Sequence, residues 1–268
     1  MLRVVLERYG IADETPRRVR VGTNNEHWSV GQQVLRRYRD RPPVDTVVFE
    51  HAILDHLGKL GWPVAVPVAT KDGQRILEVE GRLYALFPRL PGRRGAPERP
   101  RDPRTLGRML GRLHDDLAGC RYQAPRTIFA PILSVSTTWG TGTHTVDELF
   151  QSYVRESPED AAYCLRTLAG VRDEAAAIDT SAMTRTLIHG DWHAGNLLFI
   201  RGEVTGVLDF DFAHPDLRVA DLAVSAITQM QTRRGTDLAT SVAGADVVVT
   251  TPCSGWRTTP TRSLTGAG

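Results

Sequence analysis

The chain has 268 residues, 41% hydrophobic and 24% charged, with a net charge of +2. This length suggests one or two domains with ample core, and the composition is that of an ordinary soluble globular protein. So small a charge gives no reason to expect nucleic acid or a membrane surface as partner. The opening stretch MLRVVLERYGIADE breaks any apolar run with charges, and nowhere do 18 apolar residues run together, so neither a signal peptide nor a membrane span is expected. Cys120, Cys164 and Cys253 are far apart, which fits reduced thiols in a cytoplasmic protein.

The predicted elements begin with three short β-rich runs, RRVRV, EHWSV and QVLRRYR, separated by the turns GTNN and GQ. They predict an antiparallel meander. TVVFEHAILDHLGKLG predicts a helix: Glu50, Ile53, Leu54 and Leu57 share one face, and Gly58 and Gly61 mark its end. VAVPVAT, QRILEVE and RLYALFPRL predict further strands, with KDG as a turn. Residues 1–88 thus form a first lobe. The stretch PRLPGRRGAPERPRDP holds five prolines and five arginines. It can form neither a helix nor a central strand, and residues 89–103 read as a linker. In the second lobe, residues 104–231, Leu106, Met109, Leu110, Leu113 and Leu117 mark an amphipathic helix. TVDELFQSYVRE and PEDAAYCLRTLAGVRDEAAAI predict two more, and NLLFI, RGE and VTGVLDF predict a hairpin. Strands first and helices second give an α+β fold of two unequal lobes. Residues 232–268, rich in Thr, Gly and Pro, read as an atypical, disordered tail.

HGDWHAGN, residues 189–196, has two readings. One is a zinc site on His189, Asp191 and His193, which needs an open position for water and further ligands; no second His/Cys cluster supplies them. The other is the catalytic loop of a kinase, which needs a base aspartate, an asparagine and a second metal-binding aspartate. Asn196 lies six residues before Gly202 and Asp209 seven after it. An antiparallel hairpin sets such positions side by side, where their oxygens suit a hard cation such as Mg²⁺. Asp191 lies on the loop that feeds the first strand of that hairpin.

HGDWHAGNLLF followed by GVLDFDFAHPDLRVADLA resembles the aminoglycoside phosphotransferase and homoserine/choline kinase-like family, over roughly residues 15–230. The resemblance implies a protein-kinase-like fold with a small antiparallel-sheet N-lobe and a mainly helical C-lobe. It implies transfer of the γ-phosphoryl group of ATP or GTP, with Mg²⁺, to a small-molecule hydroxyl acceptor. Asp191 then matches the catalytic base, Asn196 and Asp209 the metal ligands, and Asp211 an assistant to the second metal. His189 and His193 become shapers of the loop. Arg36 matches the cation of the third strand, where protein kinases use Lys, and Glu50 its helix partner. A glutamate on an inward face is costly to bury unless paired. Gly22 in VGTNN matches the phosphate-covering turn, with Asn24 or Asn25 assisting, and the backbone from Phe87 to Arg89 matches the hinge that meets adenine. Asp221 reads as structural, bonding backbone near the catalytic loop, and His114 as a packing or capping histidine. Relatives continue with helices that build the acceptor pocket; the stretch after Gln231 does not look like them. The C-terminus is therefore expected to be incomplete, and the alternative to an active kinase is a catalytically impaired, nucleotide-binding remnant.

Overall fold

The computed structural model describes residues 1–19, 25–39, 42–95, 103–122, 133 and 146–232. Gly22 and Asn24, expected in the turn that covers the phosphates, and the tail after Thr232 lie outside these residues.

Five antiparallel strands build the first lobe: β1 (Arg17–Val19), β2 (Asn25–Val30), β3 (Gln33–Tyr38), β4 (Leu77–Val79) and β5 (Arg82–Pro88), in the order β1-β2-β3-β5-β4. Successive side chains of a strand point to opposite faces. Leu83, Ala85 and Phe87 therefore join one buried cluster while Tyr84 and Leu86 join another. The first cluster includes Val47, Ile53, Leu54 and Leu57 of helix α2 (Val44–Lys59). The second includes Val5, Leu6 and Tyr9 of helix α1 (Leu2–Tyr9). The sequence reading placed no element at α1. Eight residues do not sustain a helix in isolation, and burial against the sheet holds this one.

VAVPVAT, expected as a strand, is not one. Val64 and Val68 make single bridges, to Val207 and Leu86. Pro67 between them has no N–H to continue a ladder. The linker is less bare than expected: Arg93–Arg94 form β6, at the edge of a sheet ordered β6-β8-β9. An edge asks for one row of bonds only, so the exclusion of a central strand there is respected.

The second lobe carries α3 (Pro103–Leu117), α4 (Val146–Ser152) and α5 (Pro158–Ala177). Leu106, Leu110, Leu113 and Leu117 of α3 are buried at the helical spacing read from sequence. β7 (Arg185–Ile188) leads into the 189–196 loop, which is followed by the hairpin β8 (Leu197–Ile200) and β9 (Glu203–Val207). Arg201 and Gly202 turn the hairpin with φ of 52° and 97°, the positive pair that matches strand twist. β10 (His214–Leu217) then returns to pair with β7, and α6 (Arg218–Thr232) follows. Sequence reasoning had none of β7, β10 and α6. Val47 and Phe49 of the first lobe share one core with Leu110, Trp192, Val207 and Phe210 of the second. The architecture is the α+β, two-lobed one, with the hairpin embedded in the helical lobe.

Candidate active site

The 189–196 loop is built from its ends. Asp221, wholly buried near the start of α6, accepts from the backbone N–H of His189 at 2.8 Å and of Gly190 at 2.7 Å. His114 of α3 donates to the same carboxylate through Nε2 at 2.8 Å, and its Nδ1 accepts from Arg218 Nε at 3.2 Å. Burial opposes the charge on Asp221, yet these bonds outweigh it and hold the carboxyl below its ordinary range. Gly190 sits at φ 81°, and a Cβ there would lie 2.2 Å from the Phe212 carbonyl oxygen. Only glycine lets the loop pass so close.

Both loop histidines have both ring nitrogens engaged. His189 Nδ1 accepts from the Asp191 N–H at 3.2 Å, while Nε2 bonds the Leu208 carbonyl at 3.0 Å. His193 Nδ1 accepts from Gly195 N–H at 3.0 Å, and Nε2 faces Asp191 Oδ2 at 3.5 Å. No nitrogen is left to ligate zinc, and among the described residues no group of three or more His, Cys, Asp or Glu side chains could hold a metal.

Asn196 donates from Nδ2 to the Asp191 carbonyl at 3.0 Å and to Asp191 Oδ2 at 2.8 Å. Burial pushes the Asp191 carboxyl up, but the bonds from His193 and Asn196 prevail and leave it below its ordinary value. Leu208 N–H bonds the Asn196 carbonyl at 2.9 Å, so the antiparallel register sets Asn196 opposite Leu208, with Asp209 the next residue along. Asp209 takes a left-handed conformation, φ 68° and ψ 62°, which a non-glycine residue adopts at a cost of order 1–3 kcal/mol. Burial and the neighbouring Asp211 push its carboxyl above the ordinary range.

From the first lobe, Arg36 on β3 donates to Glu50 Oε1 on α2 at 2.7 Å and to Asp211 Oδ1 at 3.1 Å. Glu50 is 1% exposed, so its burial is matched by a partner, as the sequence demanded. The Arg36 guanidinium lies 4.9 Å from the Phe87 ring centroid and 5.7 Å from that of Tyr38. Asn25, expected as one of the asparagines that could assist phosphate cover, donates to Asp211 Oδ2 at 2.7 Å. No local sequence signal connects residues 186 positions apart, and only the folded lobes bring them together. Asn24 and Gly22 lie outside the described residues.

Of the backbone from Phe87 to Arg89, expected to meet adenine, part is taken up by β3. Arg89 N–H bonds the Gln32 carbonyl at 3.0 Å, and Val34 pairs with Phe87. Alternation along an antiparallel strand then turns the backbone polar groups of Phe87 and Arg89 towards β3. The Phe87 ring is inside the core, T-shaped against His51, and the Arg89 side chain bonds the Ser29 hydroxyl. The Pro88 carbonyl is the group that this alternation directs away from β3.

Residues 11–256 match a family described as the phosphotransferase enzyme family. A homoserine kinase of Polaromonas naphthalenivorans is 30% identical over 194 residues, which cover 72% of this chain and 57% of that protein. A homoserine kinase of Rhodopseudomonas palustris is 27% identical over 237 residues, 82% of this chain and 65% of that one. The chain therefore spans less than two-thirds of the length of these relatives. Among solved structures, an amicoumacin kinase in complex with AMP-PNP, Ca²⁺ and Ami superposes with a TM-score of 0.66, at 16% identity, over 92% of this chain and 75% of that one. A gentamicin–APH(2")-IIa complex superposes at 0.58, with 10% identity, over 94% and 95%. At such identities the likeness is one of fold, and it places this chain in the two-lobed, protein-kinase-like class.

Proposed function

The chain belongs to the phosphotransferase enzyme family, and from that premise we propose that it transfers the γ-phosphoryl group of ATP to a hydroxyl of an amino alcohol, amino acid or amino sugar. The observation that carries this reading is the convergence of Asp191, Asn196, Asp209 and Asp211 at the hairpin mouth, with Arg36 reaching them from the other lobe. The homoserine kinases among the relatives by sequence favour an amino-acid alcohol among these acceptors.

Asp191 is the proposed base. Its Oδ2 is occupied by Asn196 and His193, which leaves Oδ1 to receive the acceptor hydroxyl. A carboxyl held below its usual range is ionised at neutral pH, the state that can take the proton as the hydroxyl oxygen attacks phosphorus. The donor set suits a hard divalent cation, proposed to be Mg²⁺. Asn196 commits its amide nitrogen to Asp191 and so keeps Oδ1 available, and Asp209 and Asp211 crowd two carboxylates together, a cost that a cation relieves. Asn196 and Asp209 would hold it, with Asp211 beside them. When bound, it would neutralise phosphate charge and hold the phosphates in line with the acceptor. Arg36, fixed by Glu50, would bind the phosphates from the first lobe. For the nucleotide base, the Pro88 carbonyl, which the register leaves outside the β3 ladder, is an acceptor that suits the adenine amino group.

The test is a panel of acceptors, homoserine, choline, aminopropanol and aminoglycosides, incubated with ATP, Mg²⁺ and the protein. Phosphorylation of one class, followed by mass spectrometry of the product, supports the proposal. Tight nucleotide binding with transfer to none of them would favour the impaired remnant instead.

A further inference from the structure

Two buried polar side chains of the first lobe have no part in the chemistry above. Tyr38 ends β3, two residues after Arg36 on the same strand face, and is 4% exposed. His51 follows Glu50 on α2 and is 5% exposed. His51 Nε2 lies 3.3 Å from the Tyr38 hydroxyl, and that hydroxyl lies 3.4 Å from Glu50 Oε2. A hydroxyl has one proton, and an ionised carboxylate only accepts. The consistent arrangement has His51 Nε2–H donating to Tyr38 Oη, and Tyr38 O–H donating to Glu50 Oε2. Glu50 Oε1 is then left to Arg36, at 2.7 Å. Glu50 thus has one oxygen held from each side, and its carboxylate plane is fixed.

We infer that Tyr38 and His51 are positioning residues, forming a relay that fixes Glu50 and through it aims Arg36 at the nucleotide phosphates. The inference rests on the phosphotransferase reading of this site. Phe87 completes the arrangement: its ring lies against the Arg36 guanidinium on one side and 5.8 Å from the His51 ring on the other. The relay is enclosed, and its bonds act in a medium of low dielectric where they are stronger than in water. A carboxylate free to rotate would let Arg36 swing wholly to Asp211, its second partner, and away from the phosphates.

Tyr38→Phe removes the hydroxyl and keeps the ring that packs on Arg36. Affinity of the full chain for AMP-PNP with Mg²⁺ is measured by calorimetry, and affinity for adenosine by competition. The relay predicts AMP-PNP binding about tenfold weaker in Tyr38→Phe, as a lost bond to a charged group produces, with adenosine unchanged. His51→Leu should show the same selective loss, whereas His51→Gln, which keeps a donor, should recover most of it. The effects of Tyr38→Phe and Glu50→Gln should be non-additive. A merely structural role would weaken both ligands alike. Equal losses for AMP-PNP and adenosine, or no loss in Tyr38→Phe while Arg36→Ala loses AMP-PNP, would overturn the relay and leave the site reading intact. A wild-type protein that binds neither ligand would overturn both.

Discussion

Asp191 and Asp209 lie in one small site, yet their surroundings push them in opposite directions. Asp191 is burdened by burial but stabilised as an anion by His193 and Asn196; Asp209 is burdened by burial and by Asp211. That division suits a base and a metal ligand. Asp191→Asn is expected to lower turnover by ~10²–10⁴-fold with nucleotide affinity nearly unchanged, because an amide cannot take the proton. Full activity of this variant with a confirmed acceptor would remove Asp191 from the role. Asp209→Ala should weaken binding of the Mg²⁺–nucleotide complex, whereas His193→Ala should leave metal binding in place, since both His193 nitrogens serve the loop. A metal titration showing the reverse would restore the zinc reading.

Elements matter here because the site draws on segments far apart in the chain. β3 and α2 meet through Arg36 and Glu50. Arg36→Ala and Glu50→Ala should therefore give similar losses in ATP use that do not add in the double variant; additive losses would mean that the two residues act apart. The 189–196 loop hangs on α6 by Asp221, which satisfies two backbone N–H groups and His114. Asp221→Asn keeps the shape but turns an amide N–H₂ towards donors. With buried donors left unmatched, the expected loss is about 2–4 kcal/mol of stability, readable in urea unfolding. A loss below ~0.5 kcal/mol would show that water or a rearranged loop replaces the carboxylate.

Across the whole molecule, stability should respond to pH through His51. Burial first, then the nearby Arg36 and Arg75, hold its ring neutral and lower its pKa from 6.5 to about 4, against a smaller opposite pull from Asp55. The unfolded chain takes up a proton near pH 6.5 that the folded chain refuses. The contribution is therefore complete above pH 6.5 and is lost as pH falls from there towards 4. The interval between 6.5 and about 4, at ~1.4 kcal/mol per pH unit, amounts to about 3 kcal/mol. Denaturant titrations from pH 7.5 to 4.5 should show this decline in the wild type and a flatter profile in His51→Gln, which cannot titrate. Parallel profiles would mean that His51 is not held neutral.

The sequence by itself determined the elements whose signal is local. The α2 face, the leucine ladder of α3, the turn at Gly202 and the spacing that sets Asn196 against Asp209 are consequences of helix period, strand period and glycine geometry. It also determined that a buried Glu50 needs a cation, because burying an unpaired charge costs too much. Local signal failed at α1, β7, β10 and α6, which are short or lack clear punctuation and are held by what they pack against. It could not say which backbone groups at the end of β5 are free, because that depends on its register with β3, and register is a property of two strands. Only the tertiary structure decided that Asp211 faces Arg36 and Asn25 across the cleft, that His114 supports the catalytic loop through Asp221, and that Tyr38 and His51 stand behind Glu50. Asp211 lies 175 positions from Arg36 and His114 lies 107 from Asp221, and the low dielectric of a shared core strengthens such contacts.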